Sequence, residues 1–196
     1  MTVLKTRAKL VDVARQLFAQ KGVEYTTMND IAIASKKGRR TLYTYFKNKE
    51  QIYMAVVESE VQRLSQILQE VADKPIAPDT KIIEMISTHL ESIKQAVYRN
   101  GTLRAGFFRD IWRVEAVRKD FDEVEVRLFR RVLIEGKEAG IFDIDNVEIT
   151  ADILHYCIKG IEVPYIRNQI GGDLDDETGW RYVLKIVYGA LGHKNE

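Results

Sequence analysis

The chain has 196 residues, enough for one or two domains with a sizeable core, and its charged (30%) and apolar (45%) fractions are typical of a globular protein. The single cysteine, Cys157, excludes an intramolecular disulfide and a cysteine-based zinc site. No apolar signal core opens the sequence, and no stretch approaches the ~18–20 apolar residues of a membrane span, so we expect a cytoplasmic protein without membrane contact.

The charge is unevenly distributed along the chain. Although the net charge is only +1, residues 1–50 contain 11 Lys/Arg and 4 Asp/Glu (+7), whereas residues 51–196 contain 19 and 25 (−6). A basic N-terminal part on an acidic remainder is the asymmetry expected when one end of a protein meets nucleic acid.

The first elements are two helices and a turn. Apolar side chains recur at helical spacing over residues 3–21, and Gly22 ends this helix. Thr27 is a good N-cap for a second helix, with Asp30 three residues later as the acidic partner of a capping box. Residues 35–38 contain no core-forming residue, and Gly38 is the glycine that a sharp turn favours.

A third helix is predicted over residues 39–46, and its two faces differ in chemistry. Leu42, Tyr45 and Phe46 are spaced i, i+3, i+4, which predicts a buried stripe. The opposite face contains no acidic residue, although a solvated helix face normally mixes signs, so it favours an anionic partner. Its side chains are hydrogen-bond donors: Arg39, Arg40, Tyr43, Thr44 and Lys47.

This arrangement meets the demands of DNA. A short helix in the major groove needs donors that read bases, flanked by groups that hold phosphates. Arginine donates bidentately to guanine, and threonine can bond a base or touch a thymine methyl. Asn48 would cap the next helix, whose free amides form a further phosphate site.

Two segments, TTMNDIA (26–32) and TLYTYFKNKEQIY (41–53), resemble the DNA-binding head of the tetracycline-repressor (TetR) family of transcriptional regulators. The match covers about the first quarter of the chain. The family's usual glycine-hydrophobic-serine turn is replaced here by Lys36, Lys37 and Gly38, and Arg39 and Arg40 replace small or mixed residues.

The resemblance implies an all-α fold with a helix-turn-helix head over residues 1–47 and a regulatory body over 48–196, joined by a connector helix at 48–72. It also matches Lys47 to the family's phosphate-gripping lysine. With the donor face and the turn, it gives nine predicted DNA-binding residues: Thr27, Lys37, Gly38, Arg39, Arg40, Thr41, Tyr43, Thr44 and Lys47.

The body shows helical periodicity throughout, so that about nine helices are predicted in all. Pro75 and Pro78 stop the connector, and the apolar connection at 141–144 is read as a loop pinned to the core rather than a strand. A capping pair of Asp145 and Glu148 precedes a helix that Pro164 should kink. The first predicted body helix carries its apolar residues from Ile82 to Val97 and is ended by Asn100 and Gly101. The others are 102–113, 114–139 (ended at Gly140), 146–170 (closed by Gly171 and Gly172) and 176–191.

No catalytic motif is visible, His89 and Glu91 diverge on a helix and are not a metal pair, and His155 and His193 have no ligand-spaced companions, so we expect a non-enzyme without cofactor or metal. The ring-rich segment near residue 108 is read more readily as core than as pocket lining. The family nevertheless implies an effector cavity in the body, for which aromatic walls and polar handles are the candidates: Met85, His89, Arg104, Phe108, Trp112, Phe129, Tyr156 and Tyr165.

The last two helices carry more large apolar residues than one buried stripe requires, and an unpaired apolar face usually marks an interface. The family resemblance implies a homodimer built from these helices as a four-helix bundle. The predicted interface residues are Tyr156, Ile161, Ile166, Ile170, Tyr182 and Val187.

The sequence therefore predicts a sequence-specific transcriptional regulator, read as a ligand-responsive repressor that binds a palindromic double-stranded DNA operator as a homodimer. Two alternatives remain. One is a small-molecule-binding helical protein without specific DNA readout, and the other is a nonspecific nucleoid-type DNA binder.

Overall fold

The computed structural model describes residues 2–99, 111–170 and 176–192, and within these ranges the chain is helical without a strand. The all-α prediction is confirmed. No helix among these residues combines the length and apolarity needed to cross a bilayer. The described helices are α1 (Thr2–Lys21), α2 (Met28–Ala34), α3 (Arg39–Tyr45), α4 (Lys49–Ala72), α5 (Pro78–Arg99), α6 (Ile111–Glu138), α7 (Val147–Ile166) and α8 (Asp176–Ala190).

The chain forms two compact units. The first unit comprises Met1–Arg63 and Gln95–Lys119, and the second unit comprises Leu64–Lys94 and Asp120–Glu196, in each case for the parts described above. Helices α1, α2 and α3 lie in the first unit, and α7 and α8 lie in the second. Helices α4, α5 and α6 each contribute residues to both.

The first unit is organised around one apolar cluster. Leu42 of α3 is fully buried and Phe46 at its C-cap nearly so, as their spacing predicts, whereas Tyr45, the third residue of the predicted stripe, is half-buried. They pack against Phe18 of α1, Ile31 of α2 and Ile52 of α4. Burial of one edge of α3 therefore leaves its opposite edge facing outward.

The turn between α2 and α3 differs from the prediction, because its left-handed residue is Lys36 (φ 55°) and not Gly38 (φ −64°). The amide of Lys36 donates to the Ile33 carbonyl and that of Lys37 to the Ala32 carbonyl, both at 3.0 Å. This pair of bonds is the Schellman motif, which usually places glycine where Lys36 stands. Gly38 serves instead as the N-cap of α3, without a side chain to accept a cap hydrogen bond.

We expect Lys36→Gly to stabilise the protein by about 0.5–1 kcal/mol, because glycine removes the cost of a left-handed backbone at a lysine. Lys37→Gly is the matched control, since it removes the same charge at a residue without a positive φ, and it should destabilise by a similar amount. Urea denaturation of both variants checks the prediction. Equal shifts in the same direction would contradict it.

Helix α6 begins earlier than predicted. Residues 111–113 belong to this long helix rather than to a separate short one, since the sequence has no glycine or proline to end a helix there. The rest of that short helix, 102–110, lies outside the described residues. As predicted, α6 ends before Gly140, which has a positive φ of 72°.

The segment 141–144 is a loop pinned to the core, as expected, because Phe142 and Ile144 are buried. The ring of Phe142 lies against Gly136, where an added Cβ would come within 2.2 Å of it. A glycine at this position thus lets the loop close onto α6.

Helix α7 departs from the prediction at both ends. Its N-cap is Asn146, whose Oδ1 accepts from the Ile149 amide at 3.1 Å, rather than a pair of Asp145 and Glu148. It ends at Ile166 instead of 170, because Asn168 turns left-handed (φ 53°) and the Gln169 amide donates back to the Pro164 carbonyl at 2.8 Å. Asn is the commonest substitute for glycine at such a terminus. The predicted closing pair, Gly171 and Gly172, lies outside the described residues.

Candidate nucleic-acid interface

The outward edge of α3 carries the predicted donors. Arg39, Arg40, Tyr43 and Thr44 are exposed, and Lys47 is exposed just beyond the helix. Thr41 and Lys37 are half-buried, while Gly38 and Thr27 are exposed. With Leu42 and Phe46 buried on the other edge, the structure gives α3 one apolar and one cationic side.

The start of α2 is held by a reciprocal capping box between Thr27 and Asp30. Thr27 Oγ1 accepts from the Asp30 amide at 3.1 Å, and the Thr27 amide donates to Asp30 Oδ2 at 2.9 Å. The Thr27 amide and the Thr27 hydroxyl both donate to the Asp30 carboxylate and, with Lys21 nearby, outweigh desolvation and lower the pKa of the Asp30 carboxyl. The cap therefore stays ionised at neutral pH.

Two threonine hydroxyls of the interface already have intramolecular acceptors. The Thr27 hydroxyl donates to Asp30 Oδ2 at 2.9 Å, and the Thr44 hydroxyl donates to the Arg40 carbonyl at 3.0 Å. Each hydroxyl proton is thereby engaged within the chain. What Thr44 offers a base is its methyl group and its remaining acceptor capacity.

The start of α4 follows directly on the candidate interface. Asn48 Oδ1 accepts from the Gln51 amide at 2.9 Å, which confirms the predicted cap. The Gln51 side chain in turn accepts from the Lys47 amide at 2.8 Å. Sequence reasoning assigned no role to Lys49, whose ammonium donates to the carbonyls of Val23 and Glu24.

The predicted effector residues do not converge on one described cavity. Met85, His89 and Phe129 are fully buried, whereas Tyr156 is exposed. Arg104, Phe108 and the Trp112 side chain lie outside the described residues. Tyr165 lines a surface groove of about 390 Å³ with residues of α5 and α8: Ser87, Thr88, Glu91, Ser92 and Trp180.

A buried ionic network lies in the second unit, formed by His89 of α5, Glu125 of α6, and His155 and Glu162 of α7. The two ring nitrogens of His89 contact Glu125 and Glu162, the latter at 2.9 Å. His155 Nδ1 donates to the other oxygen of Glu125 at 2.7 Å. All four side chains are 97–100% buried, so one network ties three helices together.

The network keeps His89 charged. Burial lowers the pKa of the His89 imidazole, but the carboxylates of Glu125 and Glu162 overcome this and raise the pKa to about 9. Desolvation raises the pKa of the Glu125 carboxyl, but the two histidines outweigh this effect, so that the net shift is downward.

Among the described residues, no group of three or more His, Cys, Asp or Glu could hold a metal ion.

Sequence reasoning placed His89 among the candidate pocket residues, found no companion for His155, and missed this network. A signal was present, since Glu125 stands between Phe121 and Phe129 on the buried stripe of α6, and Glu162 follows Ile158 on that of α7. An ionisable residue in the middle of a buried stripe requires a partner. The partner's identity was not visible, because the pairs are 30–73 residues apart.

The second unit exposes a set of large apolar side chains on α7 and α8. Of the predicted interface residues, Tyr156, Tyr182 and Ile170 are exposed and Ile161 is half-buried. Ile166 and Val187 are instead buried within the protomer, because they lie on the inward faces of their helices. Three exposed residues that the sequence reasoning omitted are Ile149, Ile153 and Ile186.

Comparison with known proteins agrees with this architecture. A sequence model described as bacterial regulatory proteins, tetR family, matches residues 10–56. The chain is 29% identical to the probable acrEF/envCD operon repressor of Escherichia coli K12 over 181 residues (87% of this chain, 80% of that one). It is 25% identical to the transcriptional repressor KstR2 of Mycolicibacterium smegmatis over 191 residues (94% and 90%).

Solved structures share the fold at lower identity. A transcriptional regulator from Cytophaga hutchinsonii superimposes with a TM-score of 0.71 at 21% identity, covering 93% of each chain. The regulator FadR from Bacillus halodurans gives 0.67 at 17% identity, covering 96% of this chain and 97% of that one. With its capped helix pair, its donor face and these relatives, the chain belongs to the tetR family of bacterial DNA-binding transcriptional regulators.

Proposed function

We propose that this protein is a repressor that binds a palindromic operator as a homodimer and leaves it when a small molecule binds. The observation that carries the DNA half of the proposal is the exposed donor edge of α3, backed by buried Leu42 and Phe46. Arg39 and Arg40 read bases in the major groove, and Tyr43 and Lys47 hold phosphates. The names of the two curated relatives, both repressors, support the sign of regulation.

The dimer half rests on the exposed apolar side chains of α7 and α8, centred on Ile153 and Ile186. Such a set, exposed to 57–71%, is stabilised when a second copy covers it. One reading helix of two turns covers few base pairs, so two heads on a twofold axis supply the length of a specific site. The half-sites would then be a whole number of helical turns apart.

The effector half rests on thermodynamic linkage. A ligand that binds the second unit and favours a distance between the two heads that does not match the half-site spacing would lower operator affinity. The coupling free energy between ligand and DNA is reciprocal and about 1–3 kcal/mol. A thermal-shift screen of small hydrophobic and cationic compounds tests for such a ligand. A hit that raises the melting temperature must also weaken operator binding, or the coupling does not exist.

The experiment that tests the function is selection of duplexes from a random pool by the purified protein, followed by sequencing. A regulator enriches an inverted repeat, whereas a nonspecific binder enriches none. Mobility shifts on selected and random duplexes across salt then give the specificity ratio. Equal affinity for both pools would contradict the proposal.

We expect Arg39→Ala and Arg40→Ala, each made separately, to reduce the free energy of operator binding by about 1–3 kcal/mol per lost base contact. Each variant should also lose sequence preference at the base pair that its arginine contacts. Arg63→Ala is the matched control, because Arg63 is exposed in the first unit on α4 rather than on α3. Repeating the duplex selection with each variant measures both the operator affinity and the base preference. Unchanged affinity and unchanged sequence preference in both α3 variants would refute the base-contact assignment.

We expect Lys47→Met to weaken binding to all duplexes evenly. A dimer loses two phosphate contacts, so the slope of log affinity against log salt should become shallower by about 1.8. Fluorescence anisotropy with operator and random duplexes, each at four salt concentrations, measures the slope. A steep loss confined to the operator would mean that Lys47 reads a base instead.

A further inference from the structure

Lys49 joins the start of α4 to a part of the head that is far away in sequence. It stands in the first turn of α4, half-buried, and its ammonium donates to the Val23 carbonyl at 2.6 Å and the Glu24 carbonyl at 3.1 Å. These acceptors lie 26 and 25 residues earlier, in the loop between α1 and α2. The side chain therefore links the start of α4 to that loop.

The loop itself is short and held at its other end. Gly22 leaves α1 in a left-handed conformation (φ 93°), and the buried Thr26 hydroxyl donates to the Gly22 carbonyl at 2.7 Å. The next residue, Thr27, caps α2. Lys49 thus connects the beginning of α4 to the loop that leads into α2.

The two lysines of the motif have different surroundings. Lys47 is exposed, and its ammonium has no hydrogen-bond or ion-pair partner among the residues described, so it is available to a phosphate. The Lys49 ammonium directs two of its three N–H donors to backbone oxygens, which hold it beside the loop. An ammonium on a flexible stem suits two adjacent carbonyls, whereas a planar guanidinium does not.

We propose that Lys49 is a positioning residue for operator binding, which sets the spacing of the α2 and α4 starts so that both meet the same phosphate backbone. The inference rests on the proposed function, because it takes the α2 start and Lys47 as phosphate contacts. Its physical basis is that phosphate contacts fix the orientation of a reading helix on the duplex. Losing the spacing therefore weakens contacts that Lys49 itself does not make.

The test compares Lys49→Met with Lys47→Met by fluorescence anisotropy on the selected operator across salt. We expect Lys49→Met to weaken binding about tenfold, the size of one lost charge-assisted hydrogen bond. When Lys49→Met is added to Lys47→Met, the salt slope should not change further, because the effect of Lys49 passes through the Lys47 phosphate contact; Lys47→Met alone makes the slope shallower. Stoichiometric titration gives the active fraction, so that unfolded protein is not counted as weak binding.

A double-mutant cycle supplies the second readout. If Lys49 acts through the placement of Lys47, the effects of Lys47→Met and Lys49→Met are less than additive, whereas independent contacts add. Lys49→Arg should fail to restore affinity, because it keeps the charge but not the ammonium geometry. If Lys49→Met does not fold, Lys49→Gln provides the same comparison.

Three results would overturn the inference. A further decrease of the salt slope when Lys49→Met is added to Lys47→Met would make Lys49 a direct phosphate contact, and an unchanged affinity would leave it a role in folding only. Additive effects in the cycle would remove its link to Lys47. Failure of the wild-type protein to bind any selected duplex would instead sink the proposed function, which the same titration detects first.

Discussion

Replacing Glu125 by Gln is expected to destabilise the protein by about 3 kcal/mol, because it removes one of the two carboxylates that compensate the buried, charged His89 imidazole and the only carboxylate that the His155 ring nitrogen contacts at 2.7 Å. Glu125 is fully buried and accepts from both His89 and His155. A glutamine has one acceptor oxygen, so it can accept from only one of the two histidines, and the other histidine faces its NH₂ group. Urea denaturation at pH 7 measures the loss.

The matched control is Glu123→Gln on the same helix. Glu123 is exposed two residues away, and loss of an exposed charge usually changes stability by less than about 0.5 kcal/mol. Similar losses in both variants would mean that helix propensity or net charge, and not the network, determines the effect. A loss of unfolding free energy in Glu125→Gln alone supports a stabilising role for the buried contacts of Glu125 with the two histidines.

The same network predicts a pH dependence. The pKa of His89 in the folded protein, about 9, is above its ordinary value of 6.5. The protonated imidazole therefore stabilises the fold fully below pH 6.5, and this contribution is lost as pH rises through 9. Its size is on the order of 3 kcal/mol, from about 1.4 kcal/mol per pKa unit.

Unfolding free energies at pH 6.5, 7.5, 8.5 and 9.5 test this expectation. The wild-type protein should lose stability across the series, and Glu125→Gln should lose less, because removing the carboxylate removes much of what raises the pKa of His89. Parallel curves for the two proteins would show that another group governs the alkaline loss.

Local signals made the head predictable from the sequence. The cap at Thr27 needs only its own residue and Asp30 three positions later, and the buried edge of α3 needs only the spacing of Leu42 and Phe46. All of these interactions close within one or two helical turns. The donor edge follows from them without any tertiary contact.

Other features depended on tertiary packing or on a choice between near-equal local conformations. A lysine in the left-handed conformation at position 36 goes against preference, so the sequence pointed to Gly38. Helix α7 could have continued past Pro164 by periodicity alone, but Asn168 ends it. Likewise, a helical stripe identifies a buried face without naming its partner, which is why the contact of His89 with Glu125 was not foreseen.

The interface prediction shows the same limit. Periodicity indicated that α7 and α8 carry two apolar faces, but it could not say which face the protomer covers itself. Ile166 was assigned to the outer face and is buried, while Ile153 was overlooked and is exposed. The distinction matters for experiment, because only an exposed residue can report on association without also damaging the core.

Ile153→Glu is therefore expected to convert the proposed dimer to a monomer while leaving the protomer folded. Ile153 is 57% exposed on α7, so the protomer tolerates a carboxylate there, whereas a twofold interface would bring two of them together in a desolvated contact. Operator affinity should fall by about 100-fold or more, since each head then binds one half-site without its tethered partner. Sedimentation and anisotropy measure the two effects.

Ile134→Glu is the control for that experiment. Ile134 is 44% exposed, but on α6, so the same change in charge and volume should leave association and operator binding intact. If Ile153→Glu remains dimeric, another surface joins the protomers. If it becomes monomeric and still binds a full palindrome with wild-type affinity, the two heads do not need a shared axis, and the half-site argument fails with it.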